Sequence, residues 1–152
     1  MPVAAPAIEL DNDPLIRRAP LINGYRALGP TVIYARLGKG GMGAVYRARH
    51  LRLNIDVAVK VLRINHLADS EMTTQSVKRF IREARTAASV NHHHLVKVID
   101  VNADRGMYYL IMELIEGETV RERLNRRGTF SEREALEIAL AAADGLAEAH
   151  AN

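Results

Sequence analysis

The glycine-rich stretch RLGKGGMGAVYRA, from Arg36 to Ala48, constrains the fold more than any other part of this 152-residue chain. Gly38, Gly40 and Gly43 have the spacing G-x-G-x-x-G, and Val45 follows two residues later. Glycines at this spacing allow backbone N–H groups to approach a phosphate chain, because no Cβ stands in the way. The same pattern also occurs in glycine-rich hairpins without a ligand, so the neighbouring residues must decide.

The residues after the glycines argue against two phosphate-binding loops. A dinucleotide-binding fold needs the glycines to open a helix, but residues 45–49 (VYRAR) favour a strand. A Walker-type loop needs a lysine directly after its last glycine, whereas Ala44 follows Gly43. A hairpin between two strands remains as the predicted local structure.

Hydrophobic and β-branched patterns predict a meander of antiparallel strands around the glycines. The predicted strands cover residues 31–37, 44–50, 55–63, 95–101 and 107–114, the last two joined by a turn at 102–106. A helix should lie before the fourth strand, because apolar residues recur there at spacings of three and four. These residues are Val77, Phe80, Ile81, Ala84, Ala87 and Ala88.

The last third of the chain is predicted to be helical. Thr119 with Glu122, and Ser131 with Glu134, have the form of capping boxes that begin helices. Gly128 is placed to end the first of these helices. The second carries an apolar stripe on one side, formed by Leu136, Ala139, Leu140, Ala143, Leu146 and Ala147.

Lys60 is unusual because it follows Val57, Ala58 and Val59 inside an apolar strand. Alternation places it on the face of Ala58, opposite the valines. A buried ammonium group costs several kcal/mol unless it is paired. Glu83, on the flank of the helix, could supply the partner. Two alternatives stay open: Lys60 on an edge strand pointing to solvent, and Glu83 solvated beside the neighbouring arginines Arg79, Arg82 and Arg85.

Composition excludes several classes of function. The net charge of +3 is spread along the chain with only five tyrosines and two phenylalanines, which argues against nucleic-acid binding. No apolar run is long enough to span a bilayer, and the N-terminus is unlike a signal peptide. With no cysteine, a cytoplasmic location is expected. The prolines at 2, 6, 14 and 20 predict a flexible leader over residues 1–30.

Three motifs in order resemble those of bacterial, eukaryotic-like (Hanks-type) serine/threonine protein kinases, over residues 32–152. Residues 37–46 resemble the glycine-rich loop, residues 57–60 (VAVK) the third-strand lysine motif, and Arg82-Glu83-Ala84 the glutamate of helix C. The resemblance implies an α+β fold. Residues 31–116 would form a kinase N-lobe, a five-stranded antiparallel sheet plus helix C with the ATP-binding loop and hinge, and residues 117–152 the first two C-lobe helices.

The resemblance also implies roles for individual residues. Lys60 would contact the α- and β-phosphates of ATP and pair with Glu83, and these two would be the catalytic residues. Met112 resembles the gatekeeper, and the backbone of Glu113, Leu114 and Ile115 would form the adenine-binding hinge. The implied ATP-binding set is Leu37, Gly38, Lys39, Gly40, Gly41, Met42, Gly43, Ala44, Val45, Ala58, Lys60, Met112, Glu113 and Ile115. The separation of Lys60 from Glu83 is slightly long for the family and suggests extra residues around 65–74.

The sequence contains neither His-Arg-Asp nor Asp-Phe-Gly, the motifs that supply the catalytic base and Mg²⁺ ligands of the family. The resemblance therefore implies the ATP-binding part of an enzyme that transfers phosphate to serine or threonine of a protein, inactive in this chain alone. The resemblance also implies that the apolar stripe of the last helix packs on the lower lobe, so without that lobe we expect the stripe to be exposed. The alternative is a non-catalytic, pseudokinase-like module that binds nucleotide or docks on a partner through its last helix. A chance glycine loop is the third interpretation.

Two polar clusters need no special function. Three consecutive histidines, His92, His93 and His94, invite a metal site, but neighbouring side chains diverge and no cysteine or paired carboxylate completes one, so no metal ligand is expected. The cluster Arg121, Arg123, Arg126 and Arg127 is most simply a solvated helix face.

Overall fold

The computed structural model describes residues 8–63 and 70–151. Short elements come first: α1 (Ile8–Asp11), β1 (Leu21–Ile22) and β2 (Tyr25–Leu28). Three longer strands follow, β3 (Thr31–Gly40), β4 (Gly43–His50) and β5 (Ile55–Leu62). The remaining elements are α2 (Ser70–Ser89), β6 (Val98–Asp104), β7 (Met107–Glu113), α3 (Val120–Arg127) and α4 (Glu132–Ala151).

The strands form one antiparallel sheet in the order β1-β2-β3-β4-β5-β7-β6. All five predicted strands are present, the fourth beginning at Val98 instead of residue 95, but the sheet that the described residues form has seven, because β1 and β2 extend it beyond β3. Two-residue turns close two of the hairpins, with positive φ at Asn23 and Gly24 and at Arg105 and Gly106. Such turns match the twist of paired strands. The predicted turn at 102–106 is therefore shorter, since β6 continues to Asp104.

Alternate residues of the central strands divide the sheet into two faces. Val57, Val59 and Val61 belong to one buried cluster with Tyr46 of β4 and Tyr109 of β7. We call this the outer face. Ala58 and Lys60 point to the opposite, inner face, because successive side chains of a strand alternate.

The prediction of a flexible leader over residues 1–30 is wrong for the described part of that segment. Leu10, Ile16 and Ala19 are buried in the outer-face cluster, and Ile16 is 0% exposed. The prolines do prevent a long helix, but Asp13 and Pro14 open a tight turn in which the Asp13 side chain accepts a hydrogen bond from the Leu15 N–H. Short turns can bury apolar side chains without helical periodicity. Residues 1–7 lie outside the described part.

Helix α2 lies on the inner side of the sheet. Its apolar face is as predicted for Phe80 and Ala84, which are buried, whereas Ala87 and Ala88 are exposed. The helix begins at Ser70, well before the first residue of the predicted pattern. The suggested extra residues at 65–69 lie outside the described residues.

The helices of the last third begin and end as predicted. The Thr119 hydroxyl accepts from the Glu122 N–H while the Glu122 carboxylate accepts from the Thr119 N–H, and the Gly128 N–H closes α3 on the Leu124 carbonyl at 2.7 Å. Ser131 and Glu134 make the same reciprocal pair before α4. The exposed apolar stripe of α4 is confirmed, with Leu140 72% exposed. Within the described ranges, every helix is too short or too polar to cross a membrane.

Candidate functional site

The glycine-rich stretch forms the β3–β4 hairpin, with Gly40 opposite Gly43 and Gly41-Met42 at its tip. A Cβ added to Gly38, Gly40 or Gly41 would meet no atom within 4 Å, so the backbone there is open to a ligand. Gly43 has a different role. Its φ of 150° and the Val61 carbonyl oxygen, with which a Cβ would collide, both require glycine.

Strand pairing brings several of the predicted adenine and phosphate residues onto the inner face, but not Ala44, which lies opposite Val61 and is buried in the outer-face cluster. Lys60 lies opposite Val45 of β4 and Leu110 of β7, and Ala58 lies opposite Met112 of β7. Directly opposed residues share a face of the sheet. Lys60 is half-buried and lies just below the glycine hairpin, because Gly43 pairs with Leu62 two residues further along β5.

A cavity of about 370 Å³ lies between β5 and α2 beside the hairpin. Lys60 and Glu83 both line it, so the structure brings the two predicted catalytic side chains to one cavity. Its other walls are largely apolar, formed by Met42, Leu62, Phe80, Ala84, Ala87 and Leu110 together with Arg63 and Arg79.

The Lys60–Glu83 ion pair that the resemblance implies is absent here. Glu83 instead pairs with Arg79, whose Nε lies 2.7 Å from Glu83 Oε1, and this hydrogen bond raises the pKa of Arg79. Lys60 makes no ion pair with any described residue. Arg79 pairs with Glu83 because the two residues lie one helical turn apart on the same exposed surface of α2. The alternative of a solvated Glu83 beside an arginine is the one that forms.

A charged group at the edge of the inner face was not predicted from the sequence. Arg47 lies opposite Ala58, and its Nη2 is 2.8 Å from Asp56 Oδ2 and 3.8 Å from the Glu116 carboxylate. Arg49 also pairs with Asp56. Hydrogen bonds from Arg47 and then Arg49 hold the pKa of Asp56 below its usual value. The alternation of side chains along β4 could have predicted this, because Arg47 is two residues from Val45 and therefore lies on the same face.

The predicted hinge follows the inner face directly, at the end of β7. The Glu113 N–H donates to the Lys97 carbonyl at 3.0 Å, and the Glu113 carboxylate accepts from the Lys97 N–H at 2.7 Å. These two bonds fix Glu113 against the segment before β6. Ile115 lies beyond the strand and is 61% exposed, so this stretch of chain is accessible at the edge of the site.

The three histidine rings do not diverge as the sequence analysis expected. They cluster with centroids 3.8–5.5 Å apart, and His92 Nε2 lies 3.2 Å from Asp144 Oδ2 of α4. His92, His93 and Asp144 could each offer a ligand atom within 4.8 Å of the others. However, His92 Nδ1 already accepts the His94 N–H at 3.3 Å, so the nitrogen of this ring that faces Asp144 is Nε2. The expectation of no metal ligand stays a prediction.

Comparison with known proteins places this geometry in a family. The family model described as "Protein kinase domain" matches residues 32–152. The probable serine/threonine-protein kinase pknA2 of Bifidobacterium longum is 42% identical over 118 residues, covering 78% of this chain and 16% of that protein. Serine/threonine-protein kinase PrkC of Bacillus subtilis is 35% identical over 132 residues, covering 87% of this chain and 20% of PrkC.

The fold agrees with that of a solved kinase domain. The crystal structure of the Mycobacterium tuberculosis PknI kinase domain matches with a TM-score of 0.69 and 27% identity, covering 86% of this chain and 52% of that domain. The chain thus spans about half of a solved kinase domain and a fifth or less of these two curated relatives. On its sequence and its α+β fold, the chain belongs to the protein kinase family, among the bacterial Hanks-type serine/threonine kinases, and corresponds to part of the kinase domain.

Proposed function

We propose that this chain is the ATP-binding part of a serine/threonine protein kinase, with ATP bound on the inner face of the sheet. The observation that carries the proposal is the juxtaposition of an open glycine hairpin with a half-buried lysine that has no ion pair among the described residues. An open backbone and an unpaired ammonium beside it suit a polyphosphate. Adenine would lie against Val45 and Ala58, near the hinge.

The backbone of the glycine hairpin, Lys60 and Glu83 each have a defined role in this proposal. Backbone N–H groups of residues 40–43 cover the phosphates, and Lys60 holds the α- and β-phosphates. Glu83 already lines the cavity with Lys60, so a side-chain rotation away from Arg79 would let it orient the ammonium. The exposed Arg79–Glu83 pair opposes this rotation only weakly, because exposed ion pairs contribute little free energy.

Magnesium would accompany the nucleotide and neutralise phosphate charge, but this site does not supply its ligands. Glu83 is the sole carboxylate among the described residues that line the cavity, and it pairs with Arg79. The sequence also lacks the family's catalytic base and Mg²⁺-binding motifs. We therefore propose that the whole kinase acts on protein serine or threonine, and that this chain alone binds nucleotide without transferring phosphate.

Isothermal titration of the 152-residue chain with Mg·ATP tests the proposal. Wild type should bind, Lys60→Ala should bind at least about tenfold more weakly because it removes a charge-assisted phosphate contact, and Lys78→Ala should bind as wild type does. Lys78 is an exposed lysine of α2 that does not line the cavity, so it controls for loss of positive charge. Absence of binding by the folded wild type would overturn the proposal.

The exposed apolar stripe of α4 favours the second candidate function, a non-catalytic module that docks on a partner. Leu136, Leu140 and Leu146 are 63%, 72% and 53% exposed. The same stripe would also suit packing within a kinase lobe, so the nucleotide titration separates the two. A folded chain that does not bind Mg·ATP and whose α4 crosslinks to a defined partner would favour the docking module.

A further inference from the structure

The segment of residues 10–20, here called the N-terminal strap, packs across the outer face of the sheet. It buries Leu10, Ile16 and Ala19 in the same cluster as Tyr46 of β4. It also carries a carboxylate into this apolar region, since Asp13 is only 5% exposed. Burying a carboxylate costs free energy unless it is hydrogen-bonded. The hydrogen-bond donors of Asp13 therefore show which parts of the chain it connects.

The Asp13 carboxylate joins the strap to both strands of the glycine hairpin. The Tyr46 hydroxyl donates to Asp13 Oδ2 at 2.8 Å, and Arg36 Nη1 donates to the same oxygen at 3.2 Å. Oδ1 accepts from the Leu15 N–H within the strap. Arg36 and Tyr46 lie directly opposite each other on β3 and β4, so one carboxylate fastens a cross-strand pair.

This cross-strand pair marks the base of the part of the hairpin that would cover a ligand. The β3–β4 register shifts between Arg36 and Gly38, and residues 37–42 beyond it are exposed. Glycine-rich backbone has much conformational freedom to lose when it closes on a ligand. A rigid attachment at the base lowers that cost, because fewer conformations must be given up on binding.

We infer that Asp13 is a positioning residue: through Tyr46 and Arg36, the N-terminal strap holds the glycine hairpin in place and thereby raises its affinity for the phosphates of a nucleotide. The inference rests on the proposed function for its ligand. It adds an element outside residues 32–152, the range that matches the kinase family model.

Other contacts of the strap supply a matched control. Arg26 of β2 pairs with Asp11 at 2.9 Å and donates to the Ala19 carbonyl, and neither contact involves the hairpin. Asp11→Asn therefore loosens the strap at a site away from the glycines. Asp13→Asn keeps the size of the side chain but replaces one acceptor oxygen with a donor, so it cannot retain all three hydrogen bonds.

The first measurement compares affinities for Mg·ATP and for adenosine, which lacks phosphates. Asp13→Asn should weaken Mg·ATP binding about tenfold and adenosine binding less than about twofold, while Asp11→Asn changes neither by more than about twofold. Equal losses of affinity for both ligands in Asp13→Asn would mean a merely structural role and would overturn the inference. Unchanged affinity of this variant for Mg·ATP would also overturn it.

The second measurement needs no nucleotide and separates the inference from the proposed function. Amide hydrogen exchange in residues 37–43 should accelerate in Asp13→Asn while β5 exchanges as in wild type. Tyr46→Phe, which keeps the buried ring and removes one hydrogen bond, carries the same test where Asp13→Asn does not fold. Unchanged exchange in residues 37–43 would overturn the strap's role even if Mg·ATP binds. A wild type that binds no nucleotide would overturn the proposed function and, with it, the effect on affinity, but faster exchange in Asp13→Asn would still show that the strap holds the hairpin.

Discussion

The two faces of the central sheet use alternate residues of the same strands but are completed in different ways. On the outer face the N-terminal strap shares one buried cluster with Val57, Val59 and Val61, each at most 1% exposed, and the buried carboxylate of Asp13 has three hydrogen-bond donors. On the inner face Lys60 is half-buried beside a cavity, without an ion pair among the described residues. The comparison teaches that the outer face contributes stability, while the inner face leaves polar groups available for a ligand.

Removing one apolar side chain of the strap should show how much the outer face contributes. Ile16→Ala should lower the free energy of unfolding by about 2–5 kcal/mol, because Ile16 is fully buried and the substitution leaves a cavity. Urea denaturation measures this. Ile115→Ala, at a 61% exposed position, is the control and should change stability by less than about 0.5 kcal/mol. An equally small effect for Ile16→Ala would contradict the view that the strap is part of the core.

Within the glycine hairpin, a glycine packed against β5 can be compared with a glycine at the open tip. Gly43→Ala should destabilise the chain by about 1–3 kcal/mol, because φ is 150° and its Cβ would collide with the Val61 carbonyl. Gly41→Ala should cost less than about 0.5 kcal/mol, since its Cβ would meet no atom within 4 Å. Thermal unfolding of both variants measures the difference. Equal midpoints would mean that β5 does not constrain Gly43.

The sequence predicted the inner face better than the outer face, for a physical reason. Val45, Ala58 and Lys60 belong to short motifs on adjacent strands, where alternation alone decides which residues share a face. The strap has no periodic pattern, and its anchor joins Asp13 to Tyr46 across 33 residues. The Asn23-Gly24 dipeptide is a strong hairpin signal that could have indicated order before β3, but the prediction of a flexible leader did not take it into account.

Sequence patterns also could not predict which cation pairs with Glu83. Periodicity placed Glu83 on the flank of α2, which made both Arg79 and Lys60 candidate partners. Arg79 is four residues away on the same helix, while Lys60 lies across the cavity, so the choice depends on side-chain rotamers and on what occupies the cavity. Local spacing predicts candidates for such a pair but not the pair itself.

Alkaline unfolding probes the outer face through its buried tyrosines. Burial, followed by the charges of Asp104 and Asp100, raises the pKa of Tyr109 to about 12. Unfolded tyrosine ionises near pH 10. The stability contributed by the neutral side chain is therefore complete below pH 10 and is lost as pH rises toward 12, at up to about 1.4 kcal/mol per pH unit.

Tyr109→Phe should remove this part of the pH dependence, which urea titrations at several pH values between 10 and 12 would measure. Burial and the hydrogen bond to Asp13 also raise the pKa of Tyr46, so a smaller slope should persist in the variant. A slope identical to that of wild type would place the ionisation elsewhere than on Tyr109.

The smallest expected effect concerns the inner face, where Arg79 competes with Lys60 for Glu83. Arg79→Ala should raise affinity for Mg·ATP about two- to threefold, because it frees Glu83 to orient Lys60, and an exposed ion pair opposes that change only weakly. Stability should hardly change. Titration calorimetry of this variant against Arg85→Ala, an exposed arginine of the same helix, measures the difference.

The opposite result would change the interpretation of the inner face. Arg79 also lines the cavity with Lys60, so a drop in affinity for Mg·ATP would mean that its guanidinium contacts phosphate rather than merely holding Glu83. The two outcomes thus distinguish a site with one phosphate-binding cation from a site with two. In both cases Lys60, a cation without an ion pair among the described residues, lies on the inner face. The Asp13 carboxylate of the outer face, in contrast, already accepts hydrogen bonds from Tyr46, Arg36 and the strap itself.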